Sequence, residues 1–481
     1  MKKLSVCIVL FLVAFYAEAE VILPHILAHG MVLQRDKPLP VWGTASAGEQ
    51  IKVQFTGQEK QTTADAAGKW ILFLNPLKAS NKPASLIITG TNTIKLDNIL
   101  VGEVWICSGQ SNMEYTMRKN SKIEKPDVKG QNPVDELQYA NNPEIRIFLV
   151  NRKELVKPNP AHTGWSIARD SALRSFSAAG YFFAKELNEK LNVPVGMISS
   201  AVPGSAIEPW IPENGFTSAF FEGEKISGDP GKFYEPMIVP LAPFAVKGFL
   251  WYQGETNCFQ NETIEYTYKM EALINNWRKL WKDKTLPFYY VQIAPFNYSK
   301  NPGKYPLTTE TLPRFWEAQQ LAMKIPHTGM IVTTDLVNTP ADDLHPGYKW
   351  EVGRRFAQWP LAKQYGLKIA PTGPMYKKTQ VKRDKIELSF SYADKGLISN
   401  DGKPLTQFEI AGNDGKYFPA KAEIKGNKVL VSSDDVENPA NVRFGWNEGG
   451  KANFYNKTGL PAMPFRTDNP LINQFNYTGA N

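Results

Sequence analysis

From residue 21 to about residue 100, apolar and polar positions alternate in short runs at 38–42, 50–55, 69–74 and 85–89, separated by turn residues such as Ala47-Gly48 and Ala67-Gly68. A period of two in runs this short predicts strands with one buried face, and together they predict a small β-sandwich over residues 20–100. The pattern then changes. Apolar strand-like runs at 103–108, 195–200, 246–253, 288–294 and 330–335 alternate with segments at 175–191, 262–281, 311–325 and 350–365, whose apolar residues recur at helical spacing. Such alternation predicts an α/β fold: a parallel sheet covered by helices on both faces, over residues 101–367. From 368 to 481 short alternating runs return, at 385–390, 408–411 and 428–432, and predict a β-rich C-terminal region. It is either a third domain or a set of strands that completes the first. The polar, Pro-containing stretch 119–142 reads as a long surface loop.

The first 19 residues stand apart. Lys2-Lys3, an apolar stretch from Leu4 to Tyr16 and Ala17-Glu18-Ala19 form the pattern of a cleaved secretory signal, so the protein is expected to be exported, to the periplasm or beyond the cell. That apolar run of about 13 residues is shorter than the roughly 20 needed to span a bilayer, and no later run is long enough. Cys7 sits inside it, not after the cleavage point, which argues against a lipid anchor. The two remaining cysteines, Cys107 and Cys258, flank candidate catalytic residues; two free buried thiols are the plainer expectation and a disulfide the alternative. Neither Cys-x-x-Cys nor His-Glu-x-x-His occurs among the five histidines and three cysteines, so no metal site and no cofactor is expected. The net charge of +8 is spread without a basic run, which excludes a nucleic-acid binder. The 12 tryptophans suit stacking on sugar rings as well as ordinary core packing. Oligomeric state leaves no signal in the chain.

In a parallel sheet, ligands bind beyond the carboxyl ends of the strands. Strand 103–108 runs into Gly109-Gln110-Ser111-Asn112-Met113, where a helix can begin, so the Ser111 hydroxyl is presented at the mouth of the sheet. A Ser at that place is also an ordinary N-cap. Two further strand ends add donors. Ala201-Val202-Pro203-Gly204-Ser205 is a tight turn able to bring the Gly204 N–H to a substrate oxygen, and in Trp251-Tyr252-Gln253-Gly254-Glu255-Thr256-Asn257 the amides of Gln253 and Asn257 are candidates to complete an oxyanion hole. A serine nucleophile also needs a base. His345, in Asp342-Asp343-Leu344-His345-Pro346, follows the last strand by about ten residues. The carboxylate of Asp342, three residues before it, is expected to orient the imidazole, with Asp343 or a backbone carbonyl as alternatives. His25, His29, His162 and His327 fall in the β-domain, in a loop, or at the wrong end of the sheet. Asp and His lying close together near the end of the α/β region, and the lack of Gly-x-Ser-x-Gly, argue against a standard α/β-hydrolase.

These segments resemble the SGNH (GDSL-like) hydrolases, and within them the sialate O-acetylesterases. The likeness is carried by residues 102–113, 204–210, 251–257 and 343–346, and extends to Leu33-Gln34-Arg35 and to Tyr455-Asn456-Lys457-Thr458-Gly459-Leu460-Pro461-Ala462, so that it spans nearly the whole mature chain. The resemblance implies a three-layer α/β/α SGNH hydrolase domain, a metal-independent carboxylic ester hydrolase acting on acetyl esters of sialic acids or other sugars. It makes Ser111 the nucleophile, His345 the base, and Gly204 and Gln253 holders of the oxyanion. Where the family has Trp-Gly-Gly-Thr this chain has Val202-Pro203-Gly204-Ser205, and Pro203 has no N–H to give. The expected partner is an acetylated sugar; acetylated xylan or pectin are alternative substrates, and a non-catalytic carbohydrate-binding protein is a distant alternative. A sialic acid carboxylate calls for a cation, and Arg118 and Lys119 are the candidates.

Overall fold

The structure, a computed structural model, describes residues 20–122, 133–150, 164–301, 303–337, 340–477 and 479. The predicted leader, His162 and residues 123–132 of the polar stretch lie outside them; on either side of those residues the chain is helical, at Met117–Asn120 and Pro133–Tyr139.

The middle layer is a parallel sheet of β1 (Thr93–Gly109), β2 (Ile145–Leu149), β3 (Val195–Ala201), β4 (Gly248–Tyr252), β5 (Phe288–Val291) and β6 (Thr328–Ile331), in the spatial order β6-β5-β4-β1-β3-β2. Side chains alternate between its faces. Trp105, Cys107, Leu250 and Tyr252 pack on one side against α3 (Ala178–Leu191) and α7 (Lys349–Lys363). Ile106, Phe249 and Trp251 pack on the other against α5 (Ile264–Leu280) and α6 (Thr311–Leu321). Burial on both faces explains why these strands read as continuous apolar runs. The shorter helices α1 (Ser111–Glu114), α2 (Met117–Asn120) and α4 (Glu255–Phe259) lie beyond the strand ends. Ser177 caps α3 by accepting the Gly180 N–H at 3.1 Å and donates its own proton to Met113 O at 2.6 Å. The cap is worth about 1 kcal/mol, and the separate bond to Met113 O ties the long helix to α1.

Strand β1 crosses the predicted boundary at residue 100. Its first half is half-buried and pairs antiparallel with Ser80–Thr89 of the N-terminal β region; its second half is buried on both faces and pairs with β3 and β4. The N-terminal region therefore shares a strand with the central sheet, and its core is continuous with one face of that sheet. Val32–Gln34 runs parallel beside β1, and there Arg35 and Gln34 both bond the buried carboxylate of Glu103, Gln34 at 3.0 Å. The C-terminal strands pair only with one another, in small antiparallel sheets around Leu388, Ile410, Val429 and Phe444. Arg466 docks this region by two 2.8 Å bonds to Glu317 of α6. Among the described residues no helix is long and apolar enough to cross a membrane.

Candidate active site

In the sheet register, Gly109 stands level with Ala201 on one side and Tyr252 on the other, so β1, β3 and β4 end together at the point where the strand order turns. Their three following loops converge there. The Gln110 N–H donates to Tyr252 O and the Val202 N–H to Gly109 O, both at 3.0 Å. Gly109 has φ +137°, and a Cβ there would lie 2.1 Å from Tyr252 O, so no side chain fits. Ser111 follows as the first residue of α1, half-buried, with its Oγ 2.8 Å from Nε2 of His345. Burial, then the positive charges of Lys349 and Lys119, hold the imidazole below its ordinary pKa against the opposing charge of Asp343. A neutral ring with its proton on Nδ1 has Nε2 free to accept the serine proton.

The structure does not bring Asp342 to the imidazole. Asp342 Oδ1 accepts from Asn297 Nδ2, while Asp343 Oδ1 accepts the backbone N–H of His345 at 2.8 Å and supplies the carboxylate charge felt by the ring. The segment folds as an Asx turn centred on Asp343, not as the helical turn that would have brought position i−3 back toward His345.

Among the expected oxyanion donors, Gly204 is exposed in a turn with φ +72°, and its N–H meets no protein acceptor among the described residues. The Thr256 hydroxyl holds its carbonyl at 3.3 Å. Gln253 and Asn257 are placed differently from the expectation. Gln253 lies two residues beyond Trp251 on the α5 side of the sheet, where its Oε1 accepts from Tyr266 OH at 3.0 Å. Its Nε2 donates to Asn257 Oδ1 at 2.7 Å and to Ser205 O at 3.3 Å. Asn257 is fully buried and spends its donors on the carboxylates of Glu208 and Glu262, both of which Lys269 pairs at 2.6 Å. Asn257 therefore braces Gln253, and Gln253 braces the Gly204–Ser205 turn.

A family model described as carbohydrate esterase, sialic acid-specific acetylesterase, matches residues 101–361. The chain belongs to this family. It is 25% identical to human sialate O-acetylesterase and 26% identical to the rat enzyme, over 90% of its own length and 90% and 92% of theirs. A carbohydrate acetylesterase from Xanthomonas citri is 35% identical and superposes with a TM-score of 0.81, over 93% of this chain and 99% of that one. This acetylesterase is thus a carboxylic ester hydrolase with the three-layer fold that its sequence predicts.

Beneath the Ser111–His345 contact the esterase carries a polar network that sequence reasoning passed over. Asn112 Nδ2 donates to Glu255 Oε1 and to Leu344 O at 3.0 Å, and its Oδ1 accepts from Lys349 Nζ at 2.7 Å. Lys349 also donates to Pro346 O at 2.6 Å. Gln110 Oε1 accepts the N–H groups of Gly254 and Thr256, and Asn120 Nδ2 donates to Gly347 O at 2.8 Å. One signal was available: a Lys opening a helix faces the positive end of its dipole, and such a Lys needs a local reason. Cys107 and Cys258 are free and buried, and burial raises the Cys107 thiol to about 12. Arg118 and Lys119 are exposed on α2; Lys119 stands 3.7 Å from Glu114 and lies close enough to His345 to lower its basicity.

Proposed function

We propose that this esterase deacetylates sugars, with 9-O-acetylated sialic acid as its substrate, through an acetyl-enzyme formed on Ser111. The observation that carries the reading is the 2.8 Å contact of Ser111 Oγ with His345 Nε2. His345 takes the hydroxyl proton as Oγ attacks the acetyl carbonyl, and the oxygen that becomes negative is met by the backbone N–H groups of Gly204 and Ser111. The tetrahedral intermediate collapses, His345 returns the proton to the departing sugar oxygen, and the acetyl group stays on Ser111. Water then repeats the sequence: His345 deprotonates it, it attacks the acetyl carbonyl, and acetate leaves as Oγ regains its proton. Lys119 is the cation offered to the sialic acid carboxylate, with Arg118 beside it. Family membership and the relatives' names support the sialate reading, and the leader-like residues 1–19 support export.

Acetate release measured in parallel on 9-O-acetylated sialic acid, acetylated xylan and acetylated pectin tests the substrate. The expected result is a kcat/KM at least about tenfold higher on the sialic acid, corresponding to one charge-assisted contact. Equal rates on all three would overturn the sialate reading and leave a general sugar acetylesterase. Lys119→Ala is expected to raise KM for the sialic acid and leave that for xylan unchanged.

A further inference from the structure

Lys349 is completely buried, yet among the described residues no carboxylate lies within ion-pair distance of its ammonium. Its Nζ is bonded instead to two neutral oxygens, Asn112 Oδ1 and Pro346 O, and lies 4.7 Å from the centre of the Tyr115 ring and 5.3 Å from that of Tyr252. Those four partners belong to four pieces of the site: the nucleophile helix, the His345 loop, the segment after α1 and the end of β4. Asn112 extends the connection, because its amide also holds Leu344 O of the His345 loop and Glu255 of α4.

Removing an ammonium from water costs several kcal/mol, and aromatic faces with carbonyl oxygens return only part of that. A hydrocarbon side chain would fill the same space at no such cost, so packing does not account for a lysine here. We propose that Lys349 is a positioning residue for deacylation and acylation alike: its ammonium clamps the His345 loop onto the nucleophile helix and sets a positive charge near the imidazole. The inference rests on Ser111 and His345 being nucleophile and base.

The charges around the pair are few. Lys119 on α2 adds a second positive charge, itself facing Glu114; Asp343 on the His345 loop opposes both; Glu255 on α4 faces Lys349 through Asn112. Burial brings Lys349 itself down to about 7, with Glu255 and Asp343 pulling the other way. The amine that remains above that pH still has two N–H groups for its two oxygen acceptors, so the clamp persists when the charge is lost. The charge is therefore present in the acidic range, where an imidazole needs help to stay neutral.

The test is the pH dependence of kcat/KM for 4-nitrophenyl acetate with the wild type, Lys349→Met, Lys349→Gln and Lys349→Arg, alongside Ser111→Ala. With the charge gone, the acid limb of Lys349→Met and Lys349→Gln is expected to move to higher pH by about half a unit or more, and kcat at the plateau to fall by about tenfold. Lys349→Arg keeps the charge and is expected to hold the acid limb at or below the wild-type position. A neutral variant that folds, loses rate and keeps the wild-type acid limb overturns the inference, as does an upward shift in Lys349→Arg, which decides alone if neither neutral variant folds. Turnover surviving in Ser111→Ala would instead overturn the underlying assignment of the site.

Discussion

Ser111 and His345 are 234 positions apart in the chain, and their Oγ and Nε2 atoms are 2.8 Å apart in space. One lies at the end of the central strand and the other in the loop before α7, so the contact exists only when the sheet and the last helix are assembled. Ser111→Ala removes one oxygen from a half-buried turn and opens no large cavity. Its melting temperature is expected to stay near that of the wild type while kcat/KM falls at least about a hundredfold. Activity above that level would reassign the nucleophile.

Two adjacent aspartates differ in what they hold. Asp343 bonds the His345 backbone and faces its ring electrostatically, whereas Asp342 is bonded to Asn297. Asp343→Asn is expected to lower kcat by about tenfold or more and Asp342→Asn by much less, because only the first loses charge opposite the imidazolium that forms. Steady-state kinetics of the two variants check this, and the reverse order would restore Asp342 to the role that its spacing suggested.

Activity should follow the protonation of His345 with a definite sign. Burial and the charges of Lys349 and Lys119 lower its pKa from 6.5, and the neutral form is the one that accepts a proton. The rate is therefore expected to rise with pH through a midpoint below 6.5 and to have levelled off by neutrality. A kcat/KM profile between pH 4 and 8 measures the midpoint, and a value above that of free imidazole contradicts the electrostatics described.

Asn257 satisfies two carboxylates and the Gln253 amide in a fully buried position. Asn257→Ala leaves those groups short of partners and is expected to destabilise the fold by about 3 kcal/mol. Urea unfolding reads this directly. A loss of activity without a loss of stability would return Asn257 to the oxyanion hole.

Residue patterning alone determined the three-layer architecture, because strands buried on both faces are apolar throughout and helices covering them are apolar on one stripe; those periods survive in a linear string. It also placed Ser111 two residues beyond a strand and His345 after the last one, and the resemblance to a family gave the two their expected roles as nucleophile and base. The exact seams were not legible. Strand β1 passes through residue 100 without a turn signal, so the β region and the catalytic sheet share it. Tertiary structure alone decided the direction of short polar side chains. Asp342 and Asp343 are identical in chemistry and adjacent in sequence, and a single turn sends them to different partners. Gln253 and Asn257 carry amides suited to an oxyanion hole, but strand alternation and the Glu208–Lys269–Glu262 cluster draw them inward. Lys349 was invisible for the same reason: its importance comes from Asn112, Pro346 and two aromatic rings, which are distant or unremarkable in sequence and meet only after the sheet is built. Apolar periodicity is a local property of the chain, whereas a hydrogen bond between polar side chains depends on the orientation of both, and folding sets that orientation.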